Sequence, residues 1–351
     1  MLVQTYFPKK LAAKRYDSYL ASGWFRGSVM LYKVDLLCVD RGVFGVVNIR
    51  LKLDGFEFKK SQRKRIARAE RKFRTVVVPP SQVEITDEME ALYNGQKHRF
   101  EGFVHATLSE YLSSGFPTTV FDTYQVLVYH GEQLAAVSFF DIGDRAMASL
   151  IGLQHQDYGK DGLGIYTMLH EVQFGREQGL RWYYPGYVFD VPSPFDYKLT
   201  LGEIEYYTPS KRWGSLRKFE PTGTRAYRLR TEMDRLSIAL KAAGLPHKQL
   251  LYPFFSLGYM AHWSLEFVTM PKFIELVNRK GKRLIVGFEP LNQVFVVMDV
   301  AEANPESLMI DMDYRTTHAD DAGRCSDILR CRMPLVRTTS AEGVVDFLGS
   351  L

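Results

Sequence analysis

A cationic run holds most of the chemistry this chain can offer. Lys59, Lys60, Arg63, Lys64, Arg65, Arg68, Arg71, Lys72 and Arg74 crowd one short stretch around a single acid, Glu70. Unpaired charge at that density is too costly to bury, so it must face solvent or a ligand. A polyanion is its natural partner, because each phosphate contacted releases condensed counterions. A solvated helix face is the plain alternative. A second candidate, Gly162-Leu163-Gly164, stands between a strand and a helix. Glycines there let backbone N–H groups approach a ligand, and the helix dipole favours an anion. With two glycines only, a tight turn explains the motif equally well. Cys325 and Cys331 lack metal spacing and nearby histidines, so two inert thiols are the better reading. His105, His130, His155, His170, His247, His262 and His318 show no ligand pattern, and neither a Walker motif nor a full dinucleotide fingerprint is present.

The elements that must position these groups divide by texture into three parts. The 351 residues carry 45 Lys and Arg against 40 Asp and Glu, so the basic run is a local concentration rather than a global trend. An ordinary apolar fraction of 46% suits a globular chain with a sizeable core. No window is apolar enough to span a bilayer, and the N-terminus lacks the pattern of a secretory signal. Three cysteines are too few for a disulfide framework, which predicts a reduced, cytoplasmic setting. Residues 1–80 read as a smaller N-terminal domain holding a helix, a strand over 43–53 and the basic run, with Val76-Val77-Val78-Pro79-Pro80 as a stop and linker. Residues 84–220 alternate α and β. A capped helix begins at Thr86, two strands flank Gly131, a third strand covers 146–153, a helix runs from Leu163 to Gln178, and a fourth strand covers 181–184. Residues 224–351 predict an α+β extension with a helix near 228–243, a hairpin over 283–298 and a small terminal α/β piece. No chemistry is assigned to this last part.

Several separated pieces keep one order over about residues 16–215. They are Tyr19-Leu20-Ala21-Ser22-Gly23-Trp24-Phe25-Arg26-Gly27-Ser28 with Tyr32 after it, then Phe58-Lys59-Lys60-Ser61-Gln62-Arg63-Lys64-Arg65, then Lys97-His98-Arg99. Leu134 to Asp141 follows, with Ser149 and then Gly162-Leu163-Gly164-Ile165-Tyr166; last come Tyr183-Tyr184-Pro185-Gly186-Tyr187, Tyr197-Lys198 and Trp213. Together they resemble the arginyl-tRNA–protein transferase family, which includes a bacterial leucyl-transferring branch. The order strand, strand, strand, loop, helix, strand is that of a GNAT acyltransferase core. The fold class expected is therefore α/β, a mixed sheet flanked by helices, with the smaller N-terminal domain and the C-terminal extension attached. The sequence departs from the family at its N-terminal cysteine cluster, since residues 32–42 keep only Cys38. One thiolate cannot make a tetrahedral site, so no metal cluster is expected. Gly162 replaces a family serine and Pro185 a family leucine.

The resemblance implies transfer of an arginine- or leucine-class amino acid from charged tRNA to the N-terminal α-amine of a protein, a modification of the N-degron kind. No cofactor is implied beyond aminoacyl-tRNA as co-substrate, and the partners are tRNA and an acceptor protein or peptide, without a membrane. On this reading Ser61, Arg63, Lys64, Arg65 and Arg68 contact tRNA, and Gly162, Leu163 and Gly164 form the donor loop. Lys198 would stabilise the oxyanion or hold an acidic acceptor side chain. Tyr187 and Tyr197 would stack on the terminal adenine beside Gly186, His98 would orient the acceptor or shuttle a proton, and Asp141 would draw in the amine. An acyl-CoA-dependent N-acyltransferase of the same core, or a non-catalytic RNA- or protein-binding relative, are the alternatives.

Overall fold

The computed structural model describes residues 2–39, 42–100, 102–117, 119–259, 266–276, 282–303, 314–315 and 323–351. The chain opens with β1 (Val3–Tyr6), α1 (Ala13–Ala21), β2 (Phe25–Gly27), β3 (Met30–Val34), β4 (Leu36–Val39) and β5 (Gly42–Lys52), then α2 (Lys60–Glu70) and β6 (Arg74–Val78). Its middle holds α3 (Asp87–Gln96), β7 (Gly102–Phe103), α4 (Leu108–Ser113), β8 (Asp122–His130), β9 (Gln133–Ile142), β10 (Ala146–Gln154), α5 (Leu163–Glu177), β11 (Trp182–Phe189), β12 (Ile204–Tyr207) and β13 (Trp213–Ser215). The last third is α6 (Arg225–Ala242), β14 (His247–Leu251), β15 (Lys272–Leu276), β16 (Arg283–Glu289), β17 (Val294–Glu302), β18 (Tyr314–Arg315), β19 (Leu329–Thr338) and α7 (Ala341–Gly349).

A nine-stranded mixed sheet organises the molecule, in the order β13-β12-β5-β11-β10-β9-β8-β6, with β4 beside β5. Its period-2 alternation sends Val126, Val128 and Ala136 to the face covered by α2 and α5, and Leu127 and Val137 to the face covered by α3 and α4. Every neighbouring pair along that order is antiparallel except β10 and β11. These two pair in parallel only over Ala146–Ala148 and Trp182–Tyr184. Beyond that point β10 continues to Gln154 and β11 to Phe189 without joining, and β11 pairs with β5 instead. The three antiparallel strands, the helix and the parallel strand that splays away have the layout expected of a GNAT core.

Four segments differ from the sequence reading. The strand over 43–53 does not stand apart with the N-terminal residues but lies inside the central sheet, between β12 and β11. Val76-Val77-Val78 is not a linker: its β-branched residues form β6, an edge strand on β8. The fourth strand runs through Pro185 to Phe189, because a register shift between Tyr183 and Gly186 takes the proline out of the ladder. In the last third, β19 and α7 are no separate piece, since β19 closes the five-stranded antiparallel sheet β14-β15-β16-β17-β19.

Candidate functional site

The place where β10 and β11 part is the candidate site, and α5 packs along β10 there. This helix runs back along β10: Gly164 N–H donates to Gln154 Oε1 at 3.1 Å, Thr167 faces Gly152, Glu171 meets Ser149, and Gly175 packs on Met147. From Gly164 to Glu171 the helix rises about 10 Å, from the loop at its N-terminus to a fully buried carboxyl.

At the interior end Glu171 is fully buried. Its carboxylate accepts from Ser138 Oγ at 2.6 Å and from Tyr183 Oη at 2.7 Å, and the Ser149 hydroxyl close by favours its charged form. Burial pushes this carboxyl up to about 7, against the opposing pull of those hydroxyls. Sequence reasoning missed Glu171. The available signal was a carboxylate at the buried i, i+4 stripe Leu163, Thr167, Glu171, Gly175.

Lys198 stands across the cleft on a 3₁₀ segment, Pro194–Leu201. Ser193 and Asp196 cap that segment reciprocally. Gln62 of α2 fixes its far end: Nε2 donates to Thr200 O at 3.1 Å and Leu201 O at 2.8 Å, while Oε1 accepts the Lys59 N–H. The Lys198 ammonium donates to Tyr187 O at 3.2 Å and lies 5.0 Å from the centre of the Phe195 ring. With no carboxylate beside it among the described residues, burial lowers its pKa to about 8. Beside it Gly186 stands at φ +94°, a backbone conformation that L side chains rarely adopt. Tyr187 is half-buried between Phe25, Phe189 and Phe195, and Tyr197 is 45% exposed at the rim. Tyr32 and Tyr111 complete the aromatic wall, the latter donating to Leu150 O at 3.3 Å.

At the open end the cationic helix meets the loop. In α2 only Gln62, Ile66 and Ala69 are buried; Ser61, Arg63, Lys64, Arg65 and Arg68 all face solvent. The Arg65 guanidinium comes within 2.6 Å of where a Cβ on Gly162 would sit, and Gly162 is left-handed at φ +67°. Lys72 pairs with Asp161 of the same loop at 2.8 Å. Leu163 puts its side chain in the core, and the Gly164 N–H is spent on Gln154, so the triplet cannot act as three free donors. The N–H groups of Leu163 and Ile165 belong to a first turn that has no intrahelical acceptors.

Two residues fall elsewhere. Asp141 is fully buried, with Arg26 Nη1 at 2.6 Å, Thr123 Oγ1 at 2.8 Å and Tyr16 Oη at 3.1 Å. Its oxygens are committed, so it ties the N-terminal segment to the sheet and cannot receive an amine. His98 is exposed on the 3₁₀ turn Lys97–Arg99, at the loop end of β10, where the neighbouring Gln96 bonds Gln154 O. It does not join Glu171 and Lys198. The residues present do not fit a thiolate cluster either. Cys38 is buried on β4 and its thiol donates to Pro271 O at 3.3 Å, while Asp40 and Arg41 of that segment lie outside the described residues.

The family described as "Arginine-tRNA-protein transferase, C terminus" matches residues 82–208. An aspartate/glutamate leucyltransferase from Leptospira interrogans is 21% identical over 211 residues, covering 58% of this chain and 76% of that protein. One from Stenotrophomonas maltophilia is 25% identical over 179 residues, covering 48% of this chain and 68% of that protein. Among solved structures, a GCN5-related N-acetyltransferase from Anabaena variabilis is similar at a TM-score of 0.30 and 11% identity, over 82% of this chain and 58% of its own.

Proposed function

We propose, for a chain whose residues 82–208 match the arginine-tRNA-protein transferase family, that it moves a leucine-class amino acid from charged tRNA to the α-amine of a protein whose first residue is acidic. The ester of aminoacyl-tRNA is already activated, so catalysis consists largely of bringing two large substrates together. One observation carries the reading: Arg65, on the exposed cationic face of α2, reaches the Gly162 loop at the N-terminus of α5, the helix that carries Glu171. The cationic face supplies a broad stripe for phosphates, more than a coenzyme would need. An arginyl side chain would require a free carboxylate in the cleft. Glu171, the acid described there, spends its oxygens on hydroxyls, whereas Phe25, Tyr32, Tyr187 and Phe195 offer apolar surface. The Lys198 ammonium suits the side-chain carboxylate of an acidic acceptor. The need for charged tRNA supports a cytoplasmic setting. No helix among the described residues is long and apolar enough to cross a membrane.

The test uses a tRNA pool charged with labelled amino acids and peptides beginning with Asp, Glu or Ala. Label from leucyl-tRNA is expected in the acidic peptides. No label from any charged tRNA, with acyl transfer from acyl-CoA instead, would replace this reading with the coenzyme-dependent one.

A further inference from the structure

We infer that Ser149 and Glu171 form a proton relay for the acceptor amine, Ser149 meeting the substrate and Glu171 acting behind it as a positioning residue; this rests on the transferase reading above. Glu171 is a carboxyl set in the buried stripe of α5, and among the described residues no cation pairs with it. Stability alone would not retain such a group, because a buried charge without a counter-charge is destabilising. It is nevertheless held with care. Ser138 from β9 and Tyr183 from β11 each donate to one carboxylate oxygen, at 2.6 and 2.7 Å. Tyr197, on the 3₁₀ segment, is the remaining titratable group that faces it. His170, next in sequence, turns the other way, its ring 4.5 Å from that of Tyr166.

Ser149 connects this carboxyl to the cleft. It is half-buried at the last residue before the β10 register shift between Ser149 and Ile151, where β10 has just left β11. Shifts of this kind re-aim side chains. Its hydroxyl lies close enough to Glu171 and Tyr183 to favour the charged form of each. The neutral α-amine forms the new C–N bond to the ester carbonyl carbon and gives one proton to Ser149 Oγ, while the serine proton passes to Glu171. The tetrahedral intermediate then breaks its C–O bond to the tRNA. The proton returns from Glu171 through Ser149 to that leaving oxygen, and nothing is oxidised or reduced. A carboxyl raised to about 7 has the basicity a general base needs near neutral pH.

Single-turnover transfer from charged tRNA to an acidic peptide, followed across pH, tests the relay with Glu171→Gln, Ser149→Ala and Ser149→Thr. Wild type is expected to show an ionisation near neutrality in addition to that of the amine. Glu171→Gln should lose it and slow roughly 10²-fold with peptide KM unchanged. Ser149→Ala should slow comparably, and Ser149→Thr, which restores the hydroxyl, should recover most of the rate. A wild-type pH profile in Glu171→Gln, or a wild-type rate in Ser149→Ala, overturns the relay and leaves the transferase reading standing. Should Glu171→Gln fail to fold, the two Ser149 variants decide. A wild-type chain that labels no peptide overturns the transferase reading itself, and the relay with it.

Discussion

Lys198 and Glu171 sit where stability and chemistry disagree, and the disagreement is measurable. A lysine in an unfolded chain titrates near 10.4, about two units above Lys198 in the fold. Between those values the unfolded chain binds more protons, so folding stability rises with pH through that window. Lys198→Met removes the buried charge. It should melt higher than wild type at pH 7, lose that dependence, and lose at least ~10-fold of its preference for acidic over alanyl acceptors. Thermal melts and competition between peptides check the two halves separately. Glu171 has the opposite sign. An unfolded glutamate titrates near 4.3 and Glu171 near 7, so the folded chain holds the extra proton and stability falls as pH rises between them. Glu171→Gln should therefore gain stability over wild type from pH 5 to pH 8, read from denaturant midpoints. Equal midpoint differences at both ends would mean that Glu171 titrates normally.

At the scale of elements, α2 combines two jobs on two faces. Its exposed arginines are read directly from sequence, because charge density has only one plausible location. Gln62 is different: its bonds go to Thr200 and Leu201, residues far along the chain that no local pattern could name. The two faces predict separable defects. Replacing Arg65 and Arg68 with alanine should leave melting unchanged, weaken tRNA binding, and flatten the slope of log K against log salt by up to about 0.9 for each phosphate no longer neutralised. Gln62→Ala should bind tRNA normally. Its loss of three hydrogen bonds, one of them to the buried Leu201 carbonyl, should cost about 1–3 kcal/mol and displace the Lys198 segment, lowering kcat. Filter binding at several salt concentrations, set beside urea unfolding, separates the two. A salt slope unchanged in the double arginine variant would make the basic face merely solvated.

For the whole molecule, the sequence conveys elements better than their partners. Strand periodicity locates β5, β8, β9, β10, β16 and β17, but the pairing of β5 with β11 joins residues 130 or more apart, beyond the reach of any window. The same strand serves two cores. Val43 belongs with the last third, whereas Val47, Ile49 and Leu51 belong with α2 and α5. Leu2, Val3, Leu36 and Val43 share one apolar cluster with Leu229, Met233 and Leu236 of α6 and with Ile285 and Val297 of the second sheet. Asp190 fastens that join. Fully buried just after β11, it accepts from the Gly45 N–H at 2.7 Å, the Thr224 hydroxyl at 2.6 Å and Arg230 Nη2 at 3.0 Å. The extension after residue 223 is thus part of the structural frame of the central sheet, and removing it would strip Leu36 and Val43, now almost fully buried, of their cover. A chain ending at 223 should therefore be insoluble or aggregate. Asp190→Ala, which leaves Arg230 without its carboxylate, should lose about 3–5 kcal/mol of stability and become more readily cleaved by protease between the two sheets. A well-folded, monomeric 1–223 fragment with wild-type transfer activity would show instead that the extension is a separable accessory.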